Sequence, residues 1–311
     1  DFIPQIRKPL FVSQEMFGRG IFLILSGLFK KAIISDYISV NFVERIFDNP
    51  TLYSGLENLM GVYGYALQIY CDFSGYSDMA IGIALLLGFH FNLNFNSPYK
   101  SASITEFWRR WHISLTTWFR DYIYIPLGGS RAGKWKSFRN TLVIFLVSGF
   151  WHGANWTFVA WGAYHALLFL PLLLLGQNRR YRDSVAENSF LPSVKELTQM
   201  GATFLLVLLG WILFRSEDIS QAAVYLERMF NVSLFSAPQL VGLGFGQLLL
   251  KKCFFFTALM FVVEWIGRKQ AHGLMIEDLS LPVRYVIYTV LLIIIYGFDA
   301  SNPQGFIYFQ F

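Results

Sequence analysis

His152 lies in a stretch of sequence where an ionisable side chain is unexpected. The run from Asn140 to Asn178 contains no Lys, Arg, Asp or Glu, and His152 stands near its middle. An ionisable group inside such an apolar run is a functional candidate, and a neutral imidazole near pH 7 is suited to take a proton from a hydroxyl. The alternative is a buried histidine that only hydrogen-bonds a nearby carbonyl. His152 is therefore a candidate general base.

The residues around His152 are consistent with a reaction centre. Gly149 and Gly153 allow backbones to approach closely. Asn155 follows at i+3, where its amide is placed to orient the imidazole or a carbonyl. Trp151 precedes the histidine, and we place it with the substrate-facing residues. His165, four residues after Trp161, is interpreted as a packing or supporting residue.

Residues 103–129 form the second region of interest, and they contain His112. Placed on one helix, they separate into an apolar side (Ile104, Phe107, Trp108, Trp111, Leu115, Trp118) and a polar side (Arg109, Arg110, Thr116, Thr117, Arg120). Such a helix lies at a membrane surface or lines a polar cavity. Arg109, Arg110 and Arg120 are then either interface charges or ligands for the phosphates of an acyl carrier. His112 becomes a plausible partner for His152.

A third group of polar residues interrupts an apolar stretch between Asp72 and Asp78. Two acids, two serines and a glycine occur within seven residues, and Ser74 is one of them. We expect a helix break there, facing protein or a water-filled cavity. Because unpaired carboxylates at that depth are costly, both acids are expected to pair with Arg109, Arg110 or Arg120.

The composition indicates a membrane protein. The chain is 55% hydrophobic and only 14% charged, against about a quarter charged in soluble domains. Its +5 net charge lies largely in Lys and Arg clusters between apolar runs, which is typical of loops between membrane spans and does not call for a nucleic-acid partner. Eight helical, membrane-embedded segments are predicted, at roughly 17–35, 54–71, 76–91, 139–151, 155–176, 197–214, 240–266 and 282–298. The predicted fold is an all-α, multi-pass helical bundle.

Several kinds of chemistry lack their signatures. The sequence contains no Gly-rich phosphate loop with its Lys, no GxSxG elbow, no HExxH and no CxxC pair. Cys71 and Cys253 are interpreted as small buried apolar residues, and no metal site is expected. Phosphoryl transfer, serine hydrolysis and zinc chemistry are therefore unsupported, and no bound cofactor is expected.

A series of motifs resembles the membrane-bound O-acyltransferases in order and spacing. The motifs are YCDFSGYSDMAIGIALLLG from Tyr70, NFNSPY from Asn94, FWRRWHISL from Phe107, WFRDY from Trp118, PLGGSR from Pro126 and SGFWHGAN from Ser148. The PLGGSR stretch resembles the alginate O-acetyltransferase type more than the D-alanine transfer proteins. The resemblance covers essentially the whole chain, so residues 1–311 are expected to form one catalytic domain. It also implies that several N-terminal spans of a full-length protein are missing.

The resemblance implies a site and a reaction. It implies amphipathic or re-entrant helices around a central tunnel, with His152 as the essential catalytic histidine and His112 facing the same tunnel. A thioester donor such as acetyl-CoA would enter from the cytoplasmic side of a bacterial inner membrane. The acceptor would be a hydroxyl of an exported polysaccharide or of a periplasmic relay protein. His152 would act as base or carry the acyl group, while Asn155, His112 or backbone amides stabilise the oxyanion.

Two other classes of protein stay open from the residues alone. A transporter or channel would use the predicted break between Asp72 and Asp78 and the buried histidines as a proton or solute path. A scaffold subunit of a polysaccharide secretion complex would tolerate substitution of both His112 and His152. Transport predicts flux without any acyl donor.

Overall fold

The computed structural model describes residues 2–130, 133–176, 185–270, 276, 279–298 and 304–307. Throughout these residues the regular structure is helical, and no β-strand occurs among them. The prediction of an all-α fold is therefore confirmed. Arg131, His272 and the arginines between 179 and 182 lie outside the described residues, as do parts of the polar stretches 176–196 and 268–281.

Thirteen α-helices are found in the described part of the chain. They are α1 Ile3–Ile6, α2 Gln14–Leu28, α3 Asp36–Ile38, α4 Glu44–Phe47, α5 Gly55–Leu86, α6 Ile104–Arg110, α7 Ile113–Phe119, α8 Lys134–His152, α9 Trp156–Leu174, α10 Val194–Arg215, α11 Ile219–Met229, α12 Leu248–Ile266 and α13 Leu281–Gly297. Wider π-helical turns occupy Phe29–Ser35, Ser39–Val43 and Arg120–Tyr124, and short 3₁₀ turns occupy Pro50–Leu52, Pro98–Lys100 and Val232–Phe235.

The chain divides into two compact units. The first comprises Asp1–Arg45, Gly64–Asn94 and Gln239–Gln310. The second comprises Ile46–Tyr63 and Phe95–Pro238. The first unit therefore contains α1 to α3, most of α5, α12 and α13, and the second contains α6 to α11. The prediction of a single catalytic domain over residues 1–311 stays a prediction.

Helix α5 is continuous over 32 residues, so the predicted break between Asp72 and Asp78 is wrong. Gly75 does not interrupt the helix but permits close packing in the first unit, since a Cβ at this position would lie 2.7 Å from the Gly27 carbonyl oxygen of α2. Gly82 makes the same approach one heptad later, 2.6 Å from the Gly20 carbonyl oxygen. Small residues at such spacing bring two helix backbones together.

In the second unit, α8 and α9 form an antiparallel hairpin packed through two glycines. A Cβ at Gly149 would lie 2.3 Å from the carbonyl oxygen of Phe158, and a Cβ at Gly162 would lie 2.2 Å from that of Phe145. At such distances an added Cβ would overlap the carbonyl group of the facing helix, and neither backbone can shift to avoid it. This contact fixes the register of the two helices, and His152 is the last residue of α8.

The amphipathic region around His112 is two helices rather than the single helix placed on the sequence. Helix α6 ends at Arg110, Trp111 is extended (φ −103°, ψ 129°), and α7 begins after His112. The buried Trp111 ring packs 5.5 Å from Phe107 and 5.0 Å from Phe95 between ring centroids. No Gly or Pro marks this break in the sequence, so tertiary packing of Trp111 is its physical reason.

Most predicted apolar segments coincide with helices, with α5 merging two of them. By length and composition, α9 and α10 are the helices within the described ranges that are long and apolar enough to cross a bilayer. The apolar helix α13 is shorter, at 17 residues. The helices found in the other predicted segments contain more charged residues, or they are shorter than the apolar runs predicted from the sequence.

Candidate active site

The imidazole of His152 is held by its own helix. Its Nδ1 atom lies 2.6 Å from the carbonyl oxygen of Ser148, one turn earlier on α8. A carbonyl oxygen only accepts hydrogen bonds, so Nδ1 carries the proton and donates it. In the neutral ring, the lone pair is then on Nε2. His152 is 6% exposed, so this lone pair belongs to a nearly enclosed group.

Within the described residues, the aromatic rings of Trp151, Trp161 and Phe214 lie edge to face with His152. The centroid distances are 4.9 Å to Trp151, 5.2 Å to Trp161 and 5.3 Å to Phe214, with interplanar angles of 72–88°. Trp161 comes from α9 and Phe214 from α10. Aromatic rings in this geometry fix the orientation of the imidazole and keep its surroundings apolar.

His112 lies in the same unit as His152. Its ring is 6.2 Å from Trp151, so Trp151 contacts both imidazoles. The backbone of His112 is left-handed (φ 44°, ψ 55°), a conformation that costs free energy in a non-glycine residue and clusters at functional sites. The structure thus brings together the two histidines that the sequence singled out.

His165 occupies a separate buried position beside this pair. Its Nδ1 accepts a hydrogen bond from Trp108 Nε1 at 3.3 Å, so the proton of the neutral ring is on Nε2. The ring lies 5.3 Å from Trp161 and is 1% exposed. A Cβ at Gly210 would lie 2.6 Å from His165 Nε2. The predicted packing of His165 beside Trp161 is confirmed.

Asn155 and Trp151 flank His152 in different ways. Asn155 caps α9, because its Oδ1 accepts the Thr157 N–H at 3.1 Å, and its Nδ2 donates to the Glu217 carbonyl oxygen at 2.6 Å. A role for Asn155 at an oxyanion would need its second amide N–H. Trp151 is 55% exposed although it touches both histidine rings, which fits a residue at the entrance to the site.

The arginines of the amphipathic region differ in their surroundings. Arg109 is exposed. Arg110 pairs with Glu106 at 2.9 Å within α6 and donates to the side-chain oxygen of Asn96 at 3.3 Å. Arg120 pairs with Asp121 at 2.7 Å at the surface, and the hydrogen bond from Arg120 lowers the pKa of the Asp121 carboxyl. Binding of phosphates by Arg109 and Arg110 stays a prediction.

Asp72, Ser74 and Asp78 belong to the first unit, and their pairing was predicted wrongly. The carboxylate of Asp72 accepts from Lys31 at 2.5 Å and from the Ile307 N–H at 2.8 Å. Lys30 pairs with Asp78 at 2.9 Å. Lysines on the π-helical turn Phe29–Ser35 therefore take the place of the expected arginines, because they lie against α5 in the same unit. These ion pairs compensate the charges without breaking the helix.

Buried polar groups of the first unit extend around these pairs. Lys31 also contacts Asp36 at 2.7 Å, and the Tyr70 hydroxyl donates to Glu264 at 2.5 Å. The Ser74 hydroxyl is buried and has no hydrogen-bond partner among the described residues. Any role of Asp72, Ser74 or Asp78 in substrate binding stays a prediction.

Sequence reasoning missed Trp161 and Phe214 as neighbours of His152. Phe214 lies 62 positions away on α10, and no local pattern connects it to the histidine. For Trp161, the sequence contained one indication of its position. Thr157, Trp161 and His165 recur at i, i+4 and i+8 on an uncharged helix, which places three groups able to hydrogen-bond on one face.

Comparison with known families agrees with this geometry. Residues 1–189 match the model of the MBOAT, membrane-bound O-acyltransferase family. The match covers more than half of the chain and includes both His112 and His152. The chain therefore belongs to the membrane-bound O-acyltransferase family.

Curated relatives fall into three groups. The chain is 42% identical over 243 residues to the probable alginate O-acetylase of Pseudomonas aeruginosa (76% of this chain, 44% of the relative). It is 40% identical over 235 residues to the peptidoglycan O-acetyltransferase of Helicobacter pylori (75% and 43%). It is 31% identical over 215 residues to the teichoic acid D-alanyltransferase of Bacillus subtilis (65% and 52%). The matched part is about half the length of these relatives.

Proposed function

We propose that this chain is the histidine-bearing part of a membrane O-acyltransferase that modifies an exported polymer. A thioester such as acetyl-CoA is the donor, and a hydroxyl of a polysaccharide or of a periplasmic relay protein is the acceptor. The enzyme is a multi-pass protein of the bacterial inner membrane. The observation that carries this proposal is the hydrogen bond from His152 Nδ1 to Ser148, because it puts the lone pair of the neutral imidazole on Nε2 in an enclosed site.

The reaction requires one proton to move twice. His152 Nε2 takes the proton of the acceptor hydroxyl as its oxygen attacks the thioester carbonyl carbon, and a tetrahedral oxyanion forms. When this intermediate collapses, the C–S bond breaks and the thiolate takes the proton from the imidazolium. The acyl group is then an ester of the acceptor. His112, which shares the neighbour Trp151 with His152, would contact the same substrate groups.

The names of the relatives favour O-acetyl transfer over D-alanyl transfer. Identity to the probable alginate O-acetylase is 42%, against 31% to the teichoic acid D-alanyltransferase. Both reactions place a carbonyl next to a hydroxyl, so the same histidine would serve either. The transport alternative loses its main support, since α5 is unbroken between Asp72 and Asp78.

The test is acyl transfer in membranes carrying the full-length protein. Membranes are incubated with radiolabelled acetyl-CoA, and label is measured in extracellular polymer and in membrane-associated proteins. We expect label that depends on the protein. Absence of label, together with solute flux that needs no acyl donor, would overturn the proposal in favour of transport.

A further inference from the structure

Trp161 has a buried indole N–H that no described residue accepts. The side chain is 1% exposed, and its Nε1 atom has no hydrogen-bond partner within the described part of the chain. Buried polar groups in native proteins nearly always have a partner, and each exception calls for an explanation. A ligand that binds beside Trp161 would supply the missing acceptor.

The ring that carries this N–H contacts the histidine of the proposed reaction centre. The Trp161 ring contacts His152 at 5.2 Å and His165 at 5.3 Å between centroids. Thr157, one turn earlier on the same face of α9, is fully buried, and its hydroxyl also has no partner among the described residues. Two unpaired polar groups among the described residues therefore lie on one stripe of α9, and Trp161 of that stripe contacts His152.

A reacting acyl group would bring an acceptor to this place. The attacking hydroxyl lies within about 2.6–3.2 Å of its base, and the carbonyl carbon lies about 3–3.5 Å from that oxygen. The oxyanion that develops therefore falls among the side chains that line His152. A hydrogen-bond donor fixed at that point stabilises the transition state more than the ground state.

Of Trp151, Trp161 and Phe214, the described rings in contact with His152, Trp161 is the one that combines a hydrogen-bond donor with complete burial. Phe214 has no donor. Trp151 is 55% exposed, so its N–H can be satisfied at the surface. Asn155 already uses its amide to cap α9 and to bind the Glu217 carbonyl oxygen.

We infer that the Trp161 Nε1–H donates a hydrogen bond to the carbonyl oxygen of the acyl group and stabilises the oxyanion beside His152. This inference rests on the proposed function. It makes Trp161 a catalytic residue, since its N–H contacts the reacting carbonyl. The bond is made as negative charge develops on the oxygen, so its loss lowers kcat more than it raises KM for the donor.

The test replaces the N–H while keeping the ring. Trp161 is exchanged for 3-benzothienylalanine, in which sulfur takes the place of the indole N–H, and Trp161→Phe is the genetically simple companion. Trp156→Phe is the matched control, because Trp156 lies on the same helix and is 76% exposed. Initial rates of label transfer by the full-length protein are measured over a range of acetyl-CoA concentrations, and thermal unfolding is followed in parallel.

We expect the benzothienyl protein to lose about 10²–10³-fold in kcat, as enzymes lose when one oxyanion donor is removed. Its KM for acetyl-CoA and its melting temperature should stay close to those of the wild type, and Trp156→Phe should be unaffected. Wild-type kcat in the benzothienyl protein, or a change confined to KM, would overturn the inference. A marked fall in melting temperature would also overturn it, because the N–H would then have a structural partner.

His152→Ala in the same assay separates this inference from the proposed function. If His152→Ala loses transfer while the benzothienyl protein keeps it, the role of Trp161 fails and the acyltransferase stands. If His152→Ala transfers at the wild-type rate, the proposed function itself fails.

Discussion

The Nδ1 atom of His152 donates to the backbone carbonyl of Ser148, 2.6 Å away on the same helix. In Ser-His-Asp enzymes a buried carboxylate holds the imidazole in its working tautomer. A backbone carbonyl does so in this chain, without bringing a formal charge into an apolar segment. The orientation of the His152 imidazole is thus fixed by helix α8 itself.

We expect the loss of the Ser148 side-chain hydroxyl alone to change the activation free energy of transfer by less than about 1 kcal/mol. Ser148→Ala should therefore keep acyl transfer within about threefold of the wild-type rate. The substitution removes the hydroxyl but leaves the carbonyl that accepts from His152. Initial rates of label transfer in matched membranes provide the measurement. A loss of tenfold or more would show that the backbone bond is not what orients the ring.

Gly210→Ala should destabilise the protein through His165. The new Cβ would lie 2.6 Å from His165 Nε2, and this ring is enclosed and hydrogen-bonded to Trp108. Overpacking of this kind costs about 1–3 kcal/mol, so the melting temperature should fall.

Gly201→Ala is the control on the same helix, α10. Nothing lies within 4 Å of a Cβ at Gly201, so we expect no loss of stability and a gain of up to about 1 kcal/mol from helix propensity. Equal behaviour of the Gly201 and Gly210 variants would contradict the close contact at His165.

Lys31→Met should be strongly destabilising. Lys31 pairs with Asp72 at 2.5 Å and Asp36 at 2.7 Å, and both carboxylates are buried. Removing one partner of a buried pair costs about 3–5 kcal/mol, because the other charge is left uncompensated. Thermal unfolding in detergent should show the loss. Arg120→Gln breaks an exposed ion pair and should leave the melting temperature unchanged. Equal melting temperatures of the two variants would contradict a stabilising role of the buried Lys31 ion pairs.

Substitutions of His112 should affect the stability of the protein and its acyl transfer in different ways. Its left-handed backbone costs a non-glycine residue roughly 1–2 kcal/mol, a cost that glycine avoids. His112→Gly should therefore be about 1 kcal/mol more stable than His112→Ala, while both lose acyl transfer. Unfolding and transfer assays on the same preparations test this. Wild-type transfer by His112→Gly would show that the reaction does not need the His112 side chain.

Much of the helical architecture could be predicted from the sequence. Long uncharged runs and the residues between them predicted helices close to α8, α9 and α10, because such runs have few alternatives to helix formation. The motifs around His112 and His152 also placed both histidines in one candidate site. These features depend on local composition and spacing, which a sequence displays directly.

The errors arose where distant residues decide the local structure. Asp72 and Asp78 looked like a helix break, but Lys31 and Lys30, more than 40 positions earlier, pair with them. At Trp111 the region that looked like one helix is divided without any Gly or Pro, because its ring packs into a cluster of aromatic side chains. Neither the lysine partners of the two aspartates nor the aromatic cluster around Trp111 could be identified from the neighbouring sequence.

The most direct test of the central claim is acyl transfer by His152→Ala beside His90→Ala in the full-length protein. His90 is exposed and lies in the first unit, whereas the proposed site lies in the second, so its replacement removes the same side chain from outside the unit that contains the site. With expression and folding matched, we predict that His152→Ala transfers no label from radiolabelled acetyl-CoA while His90→Ala keeps the wild-type rate. Wild-type transfer by a folded His152→Ala protein would contradict the assignment of His152 as the base.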